Sequence, residues 1–174
     1  MGLDMYLYVT KYESKASWSK DKILEYPEAL KELETKIFER NFLSVSTKYQ
    51  VGYWRKFNAL HNYIVKNFAD GEDHCQEIYI GEDELKQILN ICKEVYEDLK
   101  TCPKTIKKSD ISGEHEIYES EVAKKLLPPA NGFFFGSLEI DEWYKQDIEY
   151  TIELCEDVLK IVDKVDSIIY DASW

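Results

Sequence analysis

The sequence predicts an α+β fold, in which four or five helices pack on a small sheet of three or four short strands. Residues 3–9 alternate apolar and polar side chains, the period-two pattern of a half-buried strand. Several longer segments repeat apolar residues every three or four positions, as amphipathic helices do. The 174 residues, 44% hydrophobic and 14% aromatic, suit one core. We therefore expect residues 1–174 to form a single globular domain.

The first half of the chain contains two predicted strands and two predicted helices. After the strand over 3–9, the polar residues 12–21 predict a loop, and Pro27 starts a helix because proline fits a first helical turn. Residues 43–53 alternate again and predict a second strand. This strand leads into a helix over 52–68. The apolar stripes of the two helices are Leu30, Leu33 and Ile37, and Phe57, Leu60, Ile64 and Phe68.

The second half predicts a third strand, three helices and a loop. Residues 75–80 predict the strand, and a helix over 82–99 begins with acidic residues, which are favourable at its positive end. Residues 101–118 contain proline, glycine and serine and predict a mobile loop. A short helix over 120–127 ends at two prolines. The apolar stripe of the long final helix is Ile148, Ile152, Cys155, Leu159 and Val162.

Three consecutive phenylalanines at 133–135 stand between two glycines. They predict a strand that is buried on both sides, or one that is buried on one side and offers the other for stacking. The flanking glycines permit tight turns and the close approach of a ligand or another backbone.

A cluster of polar and aromatic side chains marks the helix predicted over 52–68. Trp54, Arg55, Asn58 and His61, with Asn62, fall within two helical turns, where residues three and four apart are neighbours. A guanidinium, two amides, an imidazole and an indole on one patch indicate a ligand site. In the alternative interpretation the aromatic side chains belong to the core and Arg55 only forms an ion pair with the acidic turn at 141–142.

The charge distribution argues against several classes of partner. A net charge of −12 opposes binding of nucleic acid over the whole surface. Residues 137–174 hold eleven acids and three lysines, whereas residues 44–69 hold four basic residues and no acid. No apolar run approaches the roughly 20 residues that span a bilayer. The N-terminus lacks the pattern of a secretory signal, so we expect a cytoplasmic protein that contacts no membrane.

No motif predicts a metal, a cofactor or a catalytic residue. The sequence has no Walker loop, no H-E-x-x-H and no dinucleotide fingerprint, and Ser137 is not in a G-x-S-x-G elbow. The four cysteines form no C-x-x-C pair, and we expect two of them to be small core residues. Acid–base chemistry by His61 with Glu139, Asp141 or Glu142 leaves an enzyme open.

Three segments resemble a family of small proteins encoded by tailed bacteriophages and prophages. They are M-G-L-D-M-Y-L at 1–7, G-Y-W-R-K at 52–56 with Asn58 and His61, and G-F-F-F-G-S at 132–137 with D-E-W-Y after it. The resemblance covers most of the chain and implies a phage accessory protein that acts inside an infected bacterium, where such proteins often oppose host defences. The chain departs from the family pattern at Leu138 and Ile140, where the family has Thr and Tyr. If these two positions contact a ligand, we expect that ligand to differ from the one that the family binds.

These observations lead to a functional hypothesis. We expect a protein that binds a small anionic, nucleotide-derived ligand without turnover, and that sequesters a host defence signal. The alternatives are an acidic inhibitor that mimics nucleic acid or binds a host protein, and a nucleotide-processing enzyme. Association with a second copy stays open. The predicted ligand-binding residues are Trp54, Arg55, Lys56, Asn58, His61, Asn62, Phe134, Ser137, Asp141 and Trp143.

Overall fold

The computed structural model describes residues 2–14, 44–109, 113–132 and 136–174. Within these ranges the chain forms one α+β domain with a four-stranded antiparallel sheet, a two-stranded sheet and four helices. The predicted fold class is confirmed. The helix expected from Pro27, most of the loop expected over 12–21 and the phenylalanines at 133–135 lie outside the described residues.

The main sheet is built around β1 (Asp4–Ser14). This strand pairs with β2 (Ser44–Arg55) on one side and with β6 (Ser167–Ser173) on the other, and β6 also pairs with β3 (Ile78–Tyr79). All pairings are antiparallel, and the order is β2-β1-β6-β3. The predicted alternation is confirmed, because the inward side chains at the start of the chain are at most 6% exposed: Leu3, Met5, Leu7 and Val9.

Four helices contribute to the same apolar core as the inner face of the sheet. A β-bulge between Leu7 and Tyr8 shifts the register of the β1–β2 pair, next to the point where the helix at Glu142–Leu159 packs on β2. In the described part of the chain, no helix is long and apolar enough to cross a membrane. The helices are α1 (Asn58–Phe68), α2 (Glu82–Thr101), α3 (Glu121–Leu126) and α4 (Glu142–Leu159), and a 3₁₀ turn covers Val162–Lys164.

The prediction of a loop over residues 101–118 is wrong. Most of this segment consists of two antiparallel strands, β4 (Lys104–Ser109) and β5 (Gly113–Tyr118), which pair with each other from end to end and form a hairpin. Lysines and glutamates occupy many positions of this segment, and its few apolar residues do not alternate regularly with them. The period-two pattern of a strand is therefore not visible in the sequence. The hairpin is joined to the main body where the Tyr118 N–H donates to the Ile140 carbonyl at 2.8 Å.

The end of the chain also differs from the prediction. Helix α4 ends at Leu159, before the predicted Val162, and the sequence predicted no strand where β6 forms. Ile168, Ile169 and Tyr170 of β6 are all buried, so the segment lacks the alternation of a half-buried strand. Its strand conformation is fixed by pairing with β1, a contact between residues far apart in sequence.

The helix predicted over 52–68 begins too early. Residues up to Arg55 belong to β2, and α1 starts at Asn58. Lys56 separates the two elements with a φ of 64°, a left-handed conformation that neither strand nor helix uses. Trp54 and Arg55 are therefore neighbours on a strand, and their side chains point to opposite faces of the sheet.

Candidate functional site

A cavity of about 510 Å³ opens where the end of β2, the segment 136–141 and the first turns of α4 meet. Phe57 and Tyr144 touch edge to face at its inner end, with ring centroids 5.5 Å apart. The Tyr144 hydroxyl donates to the Leu127 carbonyl at 2.8 Å, which fixes this wall. The lining residues are Tyr53, Trp54, Arg55, Lys56, Phe57, Asn58, Gly136, Ser137, Glu139, Asp141, Trp143, Tyr144, Gln146 and Asp147.

Two basic side chains, Arg55 and Lys56, line the cavity and are exposed. Neither side chain forms a hydrogen bond or an ion pair with any residue in the described ranges, including the acidic turn at 141–142. The alternative interpretation, in which Arg55 is neutralised by that turn, is therefore not observed. The guanidinium and the ammonium group face water and are available to an anion.

Asn58 fixes the segment that closes the cavity on one side. Its amide Nδ2 donates to the Ser137 carbonyl at 2.8 Å, and its Oδ1 accepts from the Ala130 N–H at 3.0 Å. The side chain is only 3% exposed. Asn58 thus holds the two ends of the glycine-phenylalanine segment, and its predicted contact with a ligand stays a prediction.

The backbone around Gly136 packs closely on Lys56. Gly136 has a φ of 99°, and a Cβ at this position would lie 2.9 Å from the Lys56 Cβ and 3.2 Å from the Lys56 carbonyl oxygen. Only glycine combines this conformation with this close approach. The contact joins two of the segments that border the cavity.

Two of the three cavity carboxylates have partners inside the fold. Asp141 caps α4, because its Oδ1 accepts from the Tyr144 N–H at 2.9 Å. Glu139 forms an ion pair with Lys107 of the hairpin, and His115 Nε2 lies 3.3 Å from its other oxygen. The hydrogen bond from Lys107, aided by His115, lowers the pKa of Glu139. Both carboxylates therefore already accept hydrogen bonds within the fold.

Asp147 is the third carboxylate and differs from the other two. It is half-buried in the cavity wall, and its carboxylate has no hydrogen-bond partner among the described residues. Burial, and then the nearby charge of Asp141, raise its pKa from 3.8 to about 7. Near neutral pH the group is present in both forms, as an acceptor and as a donor.

The sequence did not predict Asp147 as a site residue. The available signal was its position on α4, one turn after Trp143 and next to the buried Ile148. A lone acid at the border of an apolar stripe is common on solvated helices, so this signal was weak.

The two tryptophans of the predicted site take different roles. Trp54 is 3% exposed, and its indole Nε1 donates to Thr151 Oγ1 at 2.9 Å. Tyr150 packs against the edge of the same indole, with centroids 5.7 Å apart. Trp54 therefore belongs to the wall. Trp143 is 70% exposed at the rim and leaves ring surface open for a ligand.

Two predicted site residues, His61 and Asn62, do not line this cavity. His61 is 2% exposed, with Nδ1 2.7 Å from the Tyr170 hydroxyl and Nε2 3.0 Å from Asp73 Oδ2. Asn62 points to solvent elsewhere on α1. The predicted single patch is divided: the turn at Lys56 takes Trp54 and Arg55 off the helix, and on the helix itself only Asn58 lines the cavity. Phe134 lies outside the described residues.

Metal ligation finds no support in the described part of the chain, where no group of three or more His, Cys, Asp or Glu side chains could hold an ion. Cys92 and Cys155 are buried, as predicted, and burial raises the pKa of both thiols, that of Cys155 to about 12. They are inert core residues.

Comparison of the chain with models of protein families, with curated proteins and with solved structures finds no match. The geometry of the cavity is therefore the basis for a functional assignment.

Proposed function

We propose that the protein binds a small anionic, nucleotide-like ligand in this cavity, without converting it. One observation supports this more than any other: Arg55 and Lys56, which have no partner in the described ranges, share the cavity with the exposed ring of Trp143. Cations for a phosphate and a face for a base are the two elements of nucleotide binding.

The interaction energies suit such a ligand. A guanidinium binds phosphate through two parallel charge-assisted hydrogen bonds, and an ammonium group adds a point charge. Stacking of a base on an aromatic ring contributes about 1–3 kcal/mol. The cavity of about 510 Å³ lies within the usual range for small-molecule sites, about 300–1,000 Å³.

The biological setting of the proposal comes from the sequence resemblance to proteins of tailed phages. In an infected bacterium, a binder of this kind would sequester a nucleotide signal of the host defence. Without catalysis, such a protein acts by stoichiometry, so it requires tight binding and a high copy number.

Calorimetric titration with nucleoside phosphates and cyclic dinucleotides tests the proposal. We expect at least one of them to bind, and Arg55→Ala to lose about 1.5–3 kcal/mol of binding free energy, or roughly 10- to 150-fold in affinity. Lys66→Ala is the matched control, because Lys66 is an exposed cation on α1 outside the cavity lining. It should bind as the wild type does. An Arg55→Ala variant with wild-type affinity would defeat the site.

A second candidate is a nucleotide-processing enzyme. The pKa of about 7 at Asp147, beside the charged Asp141, is what a general acid or base requires at neutral pH. Incubation of the same nucleotides with the protein, followed by chromatography, separates the two functions. Product that forms with wild-type protein but not with Asp147→Asn would replace the binding-only proposal.

A further inference from the structure

We infer that Asp147 reads the base of the bound nucleotide and selects a guanine-type edge. This inference rests on the proposed function and adds the class of base to it. It depends on three features of the cavity: the position of Asp147 relative to Trp143, the free hydrogen-bonding capacity of its carboxylate, and the positions of the two cations.

Asp147 and Trp143 lie on the same side of α4. They are four residues apart, which places their Cβ atoms about 6 Å from each other on a helix. Both line the cavity, as do Arg55, the last residue of β2, and Lys56, which begins the turn after it. A nucleotide with its base on Trp143 and its phosphate at this turn therefore brings the edge of the base to Asp147.

Asp147 is the cavity carboxylate that remains free to bind a base. Glu139 is held by Lys107 and His115, and Asp141 accepts from the first turn of α4. The amide of Asn58 already donates and accepts within the fold. Gln146 also lines the cavity, but it is exposed and water competes for its amide.

The chemistry of a carboxylate favours one kind of edge. An ionised carboxylate only accepts hydrogen bonds, through two oxygens side by side. The guanine edge presents two adjacent N–H donors and pairs with both oxygens. The adenine and cytosine edges present one donor beside one acceptor nitrogen, and that nitrogen would face a carboxylate oxygen without a proton between them.

Protonation of Asp147 changes this preference. A neutral carboxyl has one donor and one acceptor, so it pairs with an adenine-type edge. The ionisable groups around it are Asp141 and Tyr144 on its own helix, Glu139 on the adjoining segment, and Tyr53, Arg55 and Lys56 at the end of β2. Among these the charge of Asp141 acts with burial to raise the pKa of Asp147 to about 7. Selection of guanine therefore increases as the pH rises from 6 to 8.

Titrations with guanosine and adenosine monophosphates at pH 6 and pH 8 test the inference. Wild-type protein should prefer the guanine nucleotide at pH 8 by about 10- to 100-fold, the discrimination of one bidentate pair. Asp147→Asn presents a donor and an acceptor at every pH, so it should lose this preference and its pH dependence while still binding both nucleotides. Arg55→Ala should weaken both nucleotides by the same factor and keep the preference for guanine.

A second variant keeps the test independent of any effect of Asp147→Asn on folding. Asp141→Asn retains a good helix cap and removes the neighbouring charge, so the pH at which selectivity appears should fall. A wild-type preference that Asp147→Asn leaves unchanged would overturn the reading of the base and leave the proposed function intact. Binding of other nucleotides of the panel but of neither monophosphate would also overturn the inference alone, whereas failure of wild-type protein to bind any nucleotide of the panel would overturn the proposed function.

Discussion

The Asp147 carboxyl makes the stability of the fold depend on pH. Its pKa in the folded protein, about 7, exceeds the ordinary value of 3.8. The folded state therefore holds this proton more tightly than the unfolded state does. The resulting stabilisation is complete below pH 3.8 and is lost as the pH rises to about 7.

Asp147→Asn isolates this effect. The free energy of unfolding of the wild type, measured with urea, should fall relative to that of the variant between pH 4 and pH 7 and then stay level. The comparison cancels the titration of all other groups. A difference between the two proteins that does not change with pH would show that Asp147 titrates normally.

Gly136 is the second residue with a specific conformational role. A residue with a side chain rarely adopts its φ of 99°, and a Cβ at this position would clash with Lys56. Gly71 provides a matched control, since its φ is 78° but nothing lies within 4 Å of a Cβ there. Gly71→Ala should cost about 1–2 kcal/mol from backbone strain alone. Gly136→Ala should cost about 1–3 kcal/mol more from the clash, and equal urea midpoints would contradict this packing.

At the scale of elements, β2 and α4 meet at Gly52. A Cβ on Gly52 would lie 2.3 Å from Leu154 Cδ2 and 3.2 Å from Leu7 Cβ. The absence of a side chain at Gly52 therefore lets α4 approach the strand, and both elements line the cavity. The same contact explains why β2 needs a glycine at a buried position.

A double-mutant cycle tests this contact. Gly52→Ala should cost about 1–3 kcal/mol by overpacking, and Leu154→Ala about 2–5 kcal/mol by leaving a cavity. The double variant should cost less than the sum, because removal of the leucine makes room for the new methyl group. Additive free energies of unfolding would contradict the contact.

The elements predicted correctly from sequence are those whose pattern is local. The alternation in β1 and the apolar stripe of α2 identify a half-buried strand and an amphipathic helix without knowledge of their neighbours. Strand β6 could not be recognised, because it is buried on both faces and depends on pairing with β1. The apolar stripe of Phe57, Leu60 and Ile64 was correct, yet the start of that helix was wrong.

The site residues that the sequence predicts are those whose chemical type alone indicates a ligand. Arg55 and Trp143 are residue types suited to nucleotides, and both line the cavity. Asp147 could not be identified, since its chemistry arises from burial near Asp141, which only the fold produces. Helical spacing predicts His61 in the site, but His61 is buried against Tyr170 and Asp73, contacts that only the fold reveals.

For the whole molecule, the net charge of −12 shapes how the cavity can act. The field of the protein repels anions at long range, so the local pair of Arg55 and Lys56 must supply the attraction. The acidic surface also suits the alternative in which the protein binds a basic host protein. Affinity purification from infected cells distinguishes the two, since a stoichiometric protein partner supports the alternative.

The most direct test is a crystal structure of the protein with the tightest-binding nucleotide of the panel. We expect its phosphate within hydrogen-bonding distance of the Arg55 guanidinium and its base against the ring of Trp143. A nucleotide bound elsewhere on the protein, with this cavity empty, would contradict the account.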